Sequence, residues 1–330
     1  MKKLLLLVLT LLLAFSLIGC GAEKNTESES PDYTATDISV ACIKGPTGFG
    51  MAKLMEDSAN KRHKDNYTFT VASSADEISG KIVTGEINIA SVPTNLAAKL
   101  YAKTGGKITL LAVNTLGTLY MLEDGNTVKS FADLKGKTVY SIGEGSNPEY
   151  ILKYLLTKNG LEPQKDVNIV FAATNDELIS YIVSGKAKIA MVPEPAATTV
   201  LTKKDTLRKA ISINDEWQKA TGDKLMMGCV IALKSFVDSH PQQIGEFLNV
   251  YEESVNYAIN SAEDAAPLCE KYEIVPKAAI AQKAIPDSNL TFIYGSDSKR
   301  DLADYFKVLF DFDKTSVGGS LPNDDFYFKK

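Results

Sequence analysis

The 330-residue chain has almost no arginine, with only Arg62, Arg208 and Arg300, and only two histidines, His63 and His240. Formal net charge is −5 and becomes −7 if Lys2 and Lys3 are lost. An acidic, arginine-poor chain lacks the basic footprint that nucleic acid requires, so no nucleic-acid partner is expected. His63 adjoins a basic run and His240 precedes Pro241, positions that suit helix ends better than general bases. Cysteine is scarce too. Beyond Cys20 there are Cys42, Cys229 and Cys269, with no CxxC spacing. Three cysteines cannot all pair, so they read as small buried residues, and no His/Cys cluster has metal-ligand spacing. No GxSxG nucleophile elbow is present. These absences leave catalysis and metal binding poorly supported, and neither a cofactor nor a metal is expected.

A long internal repeat is present instead. Residues 76–97, DEISGKIVTGEINIASVPTNLA, and 176–197, DELISYIVSGKAKIAMVPEPAA, match at ten of 22 positions, among them Asp76/Asp176, Gly85/Gly185, Ile89/Ile189 and Pro93/Pro193. A fixed offset of this kind marks two related halves. Each copy reads as helix, strand, loop, helix. Ile78, Ile82 and Val83 form one helical stripe, as do Leu178, Ile182 and Val183, and Gly85 and Gly185 fall where the helices end. Ile87–Ala90 and Lys188–Val192 are the strands, stopped by Pro93 and Pro193. Repeated strand–loop–helix units build open, mostly parallel sheets whose ligands bind at the carboxyl ends of strands.

The remaining elements follow the same reading. Ile38–Lys44, Tyr67–Val71, Ile108–Val113, Leu116–Leu122, Lys137–Ile142, Val167–Ala172 and Val230–Leu233 read as strands. Phe49–Arg62, Asn147–Lys158, Pro241–Asn260, Ala262–Tyr272, Lys277–Ala284 and Asp297–Phe312 read as helices. Asn147 is expected as an N-cap, with Pro148 at the first helical position. Phe326-Tyr327-Phe328 is expected to dock on the body. The expected fold class is α/β, with two Rossmann-like lobes joined by a two-strand hinge. Residues 38–116 plus 230–330 make lobe 1 and residues 117–229 make lobe 2.

The N-terminus indicates the compartment. Lys2 and Lys3 precede an apolar run over Leu4–Ile18, short for a membrane span, and the order is that of a secretory signal over residues 1–19. Leu17-Ile18-Gly19-Cys20 resembles the lipobox of bacterial lipoproteins, in which the cysteine is lipidated, so Cys20 is the expected anchor. The polar, Ser-rich segment 20–37 reads as a flexible tether.

The candidate site is a cleft between the halves. Gly45-Pro46-Thr47-Gly48-Phe49 follows a strand and opens a helix, so its backbone N–H groups can approach a ligand closely. Its GxxGxG spacing has no Lys-Ser/Thr pair after Gly50, so it is not a P-loop. Gly145-Ser146-Asn147 does the same from the second half. Ser73, Ser74, Thr94, Asn95, Asn114 and Thr115 lie at strand ends or helix starts, where simple capping is the alternative for each. Together with the lipobox, the duplication and the stretches GPTGFGMAKL, SVPTNLA and GEGSNPEYIL, these features make the chain similar to solute-binding lipoproteins of ABC importers. The nearest group is the nitrate/sulfonate/taurine and thiamine-precursor binding proteins. That resemblance implies a type II periplasmic-binding-protein fold and one small ligand between the lobes. It also implies a monomer that delivers its ligand to a permease driven by an ATPase.

The sequence departs from the resemblance in its cleft charges. No arginine sits on an expected cleft loop, while Glu144 and Glu194 lie on second-half loops and Phe49 and Tyr150 offer rings. A carboxylate left unpaired in a closing cleft is costly. This favours a neutral or amine-bearing heteroaromatic, pyrimidine-like ligand; a sulfonate or carboxylate held by helix N-termini is the alternative, and Glu194 as an ordinary first-turn residue stays open. An enzyme of the same fold acting on a pyrimidine precursor, through Cys42 or Cys229, and a surface sensor are the competing functions.

Overall fold

The computed structural model describes residues 33–329. The signal segment 1–19, Cys20 and residues 20–32 of the expected tether lie outside the described residues. Eleven strands are described, β1 (Asp37–Ile43), β2 (Asn66–Ala72), β3 (Ile89–Pro93), β4 (Ile108–Thr115), β5 (Leu119–Asp124), β6 (Thr138–Ser141), β7 (Asn168–Phe171), β8 (Ile189–Pro193), β9 (Leu207–Ser212), β10 (Gly228–Leu233) and β11 (Leu290–Tyr294). They form two sheets, ordered β11-β4-β10-β3-β1-β2 and β7-β6-β8-β5-β9.

The duplication is visible in the strand order. In the first sheet β1 pairs in parallel with β2 and β3; in the second, β6 pairs in parallel with β7 and β8. The strand that flanks β3 is antiparallel β10, and the strand that flanks β8 is antiparallel β5. Each of these two strands is the first to form after the chain has crossed between sheets. The crossings run side by side, with Met227 N donating to Thr115 O at 3.0 Å.

Alternation along the strands sorts side chains into layers. In β1, Val40 and Cys42 face one layer with Phe49, Leu54, Phe247 and Tyr251, while Ala41 faces the other. In β8, Ala190 and Val192 pack with Leu122, Leu178 and Ile182, while Ile189 and Met191 face the layer shared by both lobes. That shared layer also takes Trp217, Leu302, Tyr305 and Phe306. Each fully buried large apolar side chain stabilises the fold by about 1.5–3 kcal/mol.

The repeat helices span Asp76–Thr84 and Asn175–Val183, with Gly85 and Gly185 both at φ +81° just past their ends, a backbone shape that glycine adopts without a Cβ clash. Several expectations are corrected. Val183 is exposed, because its helix buries only Leu178 and Ile182. The strands expected at 87–90 and 188–192 begin at Ile89 and Ile189. The helix expected over Phe49–Arg62 is two helices, Pro46–Phe49 and Ala52–Ala59. Ser146, not Asn147, is the N-cap of helix Asn147–Lys158. Strands β9 and β11 and helix Ile213–Thr221 add to the expected elements; the apolar residues of β9 and of the helix are few and widely spaced, and the apolar run LTFIY of β11 is only five residues long. The tail docks as expected, with Phe326 and Tyr327 buried and Phe328 N donating to Leu110 O at 2.9 Å.

A buried carboxylate pins the second sheet. Glu123 Oε1 accepts from Thr127 N at 2.8 Å and from Thr127 Oγ1 at 2.6 Å, while Oε2 accepts from Val128 N at 3.1 Å and pairs with Arg208 on β9. Burial disfavours its charge, but the bonds from Thr127, Val128 and Arg208 outweigh that and hold its pKa down at about 2. Its stabilisation is therefore fully present above the ordinary glutamate range and is lost as pH falls toward about 2. Glu123→Gln is expected to cost about 1–3 kcal/mol at neutral pH, with the difference from the parent shrinking in acid, as read by urea unfolding at pH 7 and pH 3.

Candidate functional site

Parallel strands of one sheet end at the same edge, and here the two edges face one cavity. β1, β3 and β4 end at Ile43, Pro93 and Thr115, and β10 starts there at Gly228, paired with both Pro93 and Thr115. Across the gap β8 ends at Pro193, paired with Leu119 at the start of β5. The cavity between them is about 330 Å³, at the small end of the range for ligand pockets.

Seven residues expected from the sequence line it: Pro46, Thr47, Asn95, Thr115, Ser146, Asn147 and Glu194. Pro46 and Thr47 open the helix after β1, and Thr47 Oγ1 donates back to Ile43 O at 3.0 Å. Asn95 sits in the first turn of helix Thr94–Lys103. Ser146 holds the N-cap position of the helix that Asn147 and Pro148 begin, but its Oγ makes no cap bond and donates to Gly143 O at 2.7 Å.

The structure does not bring the others to the cavity wall. Gly45 stands beside it, where an added Cβ would lie 3.5 Å from Pro195 Cδ of the opposite wall. Gly48 and Phe49 turn inward; a Cβ on Gly48 would meet Ile274 Cγ2 at 2.9 Å, and Phe49 is in the core. Thr94 spends its hydroxyl on Met226 O at 2.8 Å. Asn114 is buried and donates to Ser91 Oγ at 2.6 Å and Tyr251 OH at 2.8 Å. Ser73 and Ser74 are exposed and bond to Glu77, Gly145 is exposed, and its N–H donates to Glu149 Oε2 at 2.6 Å. The rings of Phe49 and Tyr150 are withheld as well. Tyr150 is buried, stacks on Phe312 and donates to Asp313 Oδ2 at 2.9 Å. Sequence reading missed Lys44, Thr118 and Met227 as lining residues. The strand expected over Ile38–Lys44 stops at Ile43, which frees Lys44 from β1.

Charge in the cleft is opposite to the expectation. The Glu194 side chain has no exposed surface; Oε1 pairs with Lys209 Nζ at 2.7 Å and Oε2 accepts from Thr198 N at 3.1 Å. It is therefore neutralised and makes no demand for a cationic ligand. Glu144 is exposed and outside the cavity wall. Lys44 is exposed at the cavity, and no ion pair holds it among the described residues. Asn147 is 7% exposed, and its Oδ1 is buried without a hydrogen-bond partner. The cavity wall thus carries one cation without an ion-pair partner, and one of its residues, Asn147, holds a buried acceptor without a donor.

The cysteines are far from reactive. Cys42, Cys229 and Cys269 are free and buried, and burial pushes the thiols of Cys42 and Cys269 up to about 12 and that of Cys229 up as well. Neither histidine lines the cavity; His63 packs on Tyr67 and His240 stacks on Phe236.

Two facing α/β lobes with a cavity at their strand ends define a type II periplasmic-binding-protein fold. The chain belongs to the NMT1/THI5-like family, whose model matches residues 81–265, more than half of its length. A provisionally named binding protein of Brucella abortus is 23% identical over 192 residues, 58% of each protein, so the match spans little more than half of that relative. Among solved structures, an ABC transporter protein from Parabacteroides distasonis superposes with TM-score 0.76 at 23% identity, covering 89% of this chain and 99% of that one. The periplasmic aliphatic sulphonate-binding protein of Escherichia coli superposes with TM-score 0.72 at 15% identity, covering 90% and 93%.

Asn147→Ala is expected to leave the helix start nearly as stable as before, since Asn147 is not at the N-cap position and its Oδ1 has no partner to lose, while weakening any ligand that donates to Oδ1 by about tenfold. Isothermal titration beside thermal unfolding separates the two effects. Thiol labelling of Cys42, Cys229 and Cys269 at pH 8 is expected to be slow in the folded protein and rapid in guanidinium.

Proposed function

We propose that this chain is an extracytoplasmic solute-binding lipoprotein of an ABC importer that captures a small organic anion between its lobes. Family membership and fold support the solute-binding role. The charge state of the cleft carries the ligand class: Lys44 is free, and Glu194 is already satisfied by Lys209. A carboxylate or sulfonate beside Lys44, carrying a hydroxyl or N–H for the Asn147 side chain, answers both the charge of Lys44 and the acceptor that Asn147 leaves unmet. The pyrimidine-like amine favoured by the sequence loses its motive once Glu194 is paired.

In this reading residues 1–19 direct export, Cys20 carries the lipid, and 20–37 tether the binding unit to the outer face of the membrane. Lobe 1, residues 38–116 plus 230–330, and lobe 2, residues 117–229, close around the ligand as a monomer. Ligand favours the closed form only through its better contacts there, and a permease with its ATPase then receives it. The protein performs no catalysis; the buried thiols and the placement of both histidines support that.

A ligand at 100 times its Kd adds about 2.7 kcal/mol to unfolding stability. A thermal-shift screen is expected to register hydroxylated sulfonates and carboxylates at millimolar concentration and to pass over matched amines. Lys44→Met is expected to abolish that preference. Amines raising the Tm while every anion fails would overturn the ligand class, and silence across the whole panel would overturn capture in this cleft. Loss of membrane fractionation in Cys20→Ala tests the anchor.

A further inference from the structure

Behind the second-lobe wall of the cavity lies an ionic group that joins the two lobes. Lys209, on β9, holds Glu194 Oε1 at 2.7 Å and also pairs with Asp287. Its ammonium sits 4.1 Å from the centroid of the Tyr120 ring, and Tyr120 OH donates to Asp287 O at 2.7 Å. Lys209 and Tyr120 belong to the second sheet. Asp287 lies in the turn Pro286–Ser288 that leads into β11 of the first. The residue that follows this turn grips the crossing, where Asn289 Nδ2 donates to Gly117 O at 2.6 Å and Leu116 N donates to Asn289 O at 3.0 Å.

The two arms of Lys209 differ in kind. The Glu194 side chain is sealed, and leaving it without its partner would strand a buried charge. The Asp287 side chain is 45% exposed and borders a hollow of about 470 Å³ open to water. Water can therefore replace Lys209 at Asp287 at small cost, but not at Glu194. Of the two arms, the one to Asp287 is therefore the cheaper to break.

We propose that Lys209 is a positioning residue for ligand capture, tying the wall segment Pro193–Pro195 to Asp287 of the opposite lobe and so setting how far the cleft stands closed. It touches no ligand itself. It acts through Glu194, whose neighbour Pro195 faces Gly45 across the gap. The proposal rests on the cleft being the binding site, but part of its test needs no ligand.

The test uses the full chain, with Asp287→Asn, Lys209→Arg and Lys209→Met. Asp287→Asn removes only the breakable arm, and it guards against the misfolding that Lys209→Met risks by baring Glu194. Hydrogen exchange on the ligand-free protein is expected to quicken about three- to fivefold at 116–120 and 193–198 in Asp287→Asn, with core strands β1 and β6 unchanged. Affinity for 2-hydroxyethanesulfonate is expected to fall by a similar factor, while Lys209→Arg keeps both near the parent. Unchanged exchange at 193–198 in Asp287→Asn, or a uniform rise across all strands, would overturn the tie. If the parent fails to bind 2-hydroxyethanesulfonate while local exchange responds as expected, the tie stands and the ligand class falls.

Discussion

Two strands exchanged between sheets hold this protein together as two lobes around a cleft. β10 enters the first sheet between β3 and β4, and β5 enters the second between β8 and β9, each arriving directly from the other lobe. A strand inside a sheet satisfies its backbone on both sides, so neither can leave without exposing a row of unpaired polar groups. Because both are antiparallel to their repeat neighbours, each begins at the edge where β3 or β8 ends. That requirement brings both carboxyl edges to the same gap, with Gly228 against Pro93 on one side and Leu119 against Pro193 on the other. Helix starts follow from strand ends, and so Thr47, Asn95 and Asn147 arrive at the cavity with their backbone amides.

The charges in and behind the cavity follow one rule of burial. A sealed carboxylate needs a partner, and Glu194 has one in Lys209. A cation at an open cavity does not, because water satisfies it until a ligand replaces the water, and Lys44 stands there. The result is a cleft whose negative group is already answered from behind and whose positive group is not. The same ammonium that answers Glu194 reaches the opposite lobe at Asp287, so electrostatic character and lobe geometry meet in one side chain.

Much of the fold was legible because it depends on local pattern. The repeat at an offset of 100, the glycines that end its helices and the prolines that end its strands placed β3 and β8 to within three residues. Helix Pro241–Asn260 was read to its ends, since its apolar stripe is long and regular. Strands β9 and β11 were not, because LRKAIS and LTFIY are short, and partners distant in sequence make them strands. At the site, Pro46, Thr47, Asn95, Ser146 and Asn147 were legible as helix starts. Thr94 has the same signature, and Asn114 that of a polar strand end, yet they turn inward to Met226 and Tyr251, a difference that no local pattern records.

By itself, then, the sequence determined the class: a duplicated α/β chain with a cleft between its halves, because periodicity and glycine chemistry act over a few residues. Only the tertiary structure decided the electrostatics of that cleft. Glu194 and Lys209 are 15 positions apart and Asp287 is 78 further on. Whether a carboxylate is bare or neutralised depends on what folding brings within a few ångströms of it, and Coulomb interaction follows distance in space, not distance along the chain.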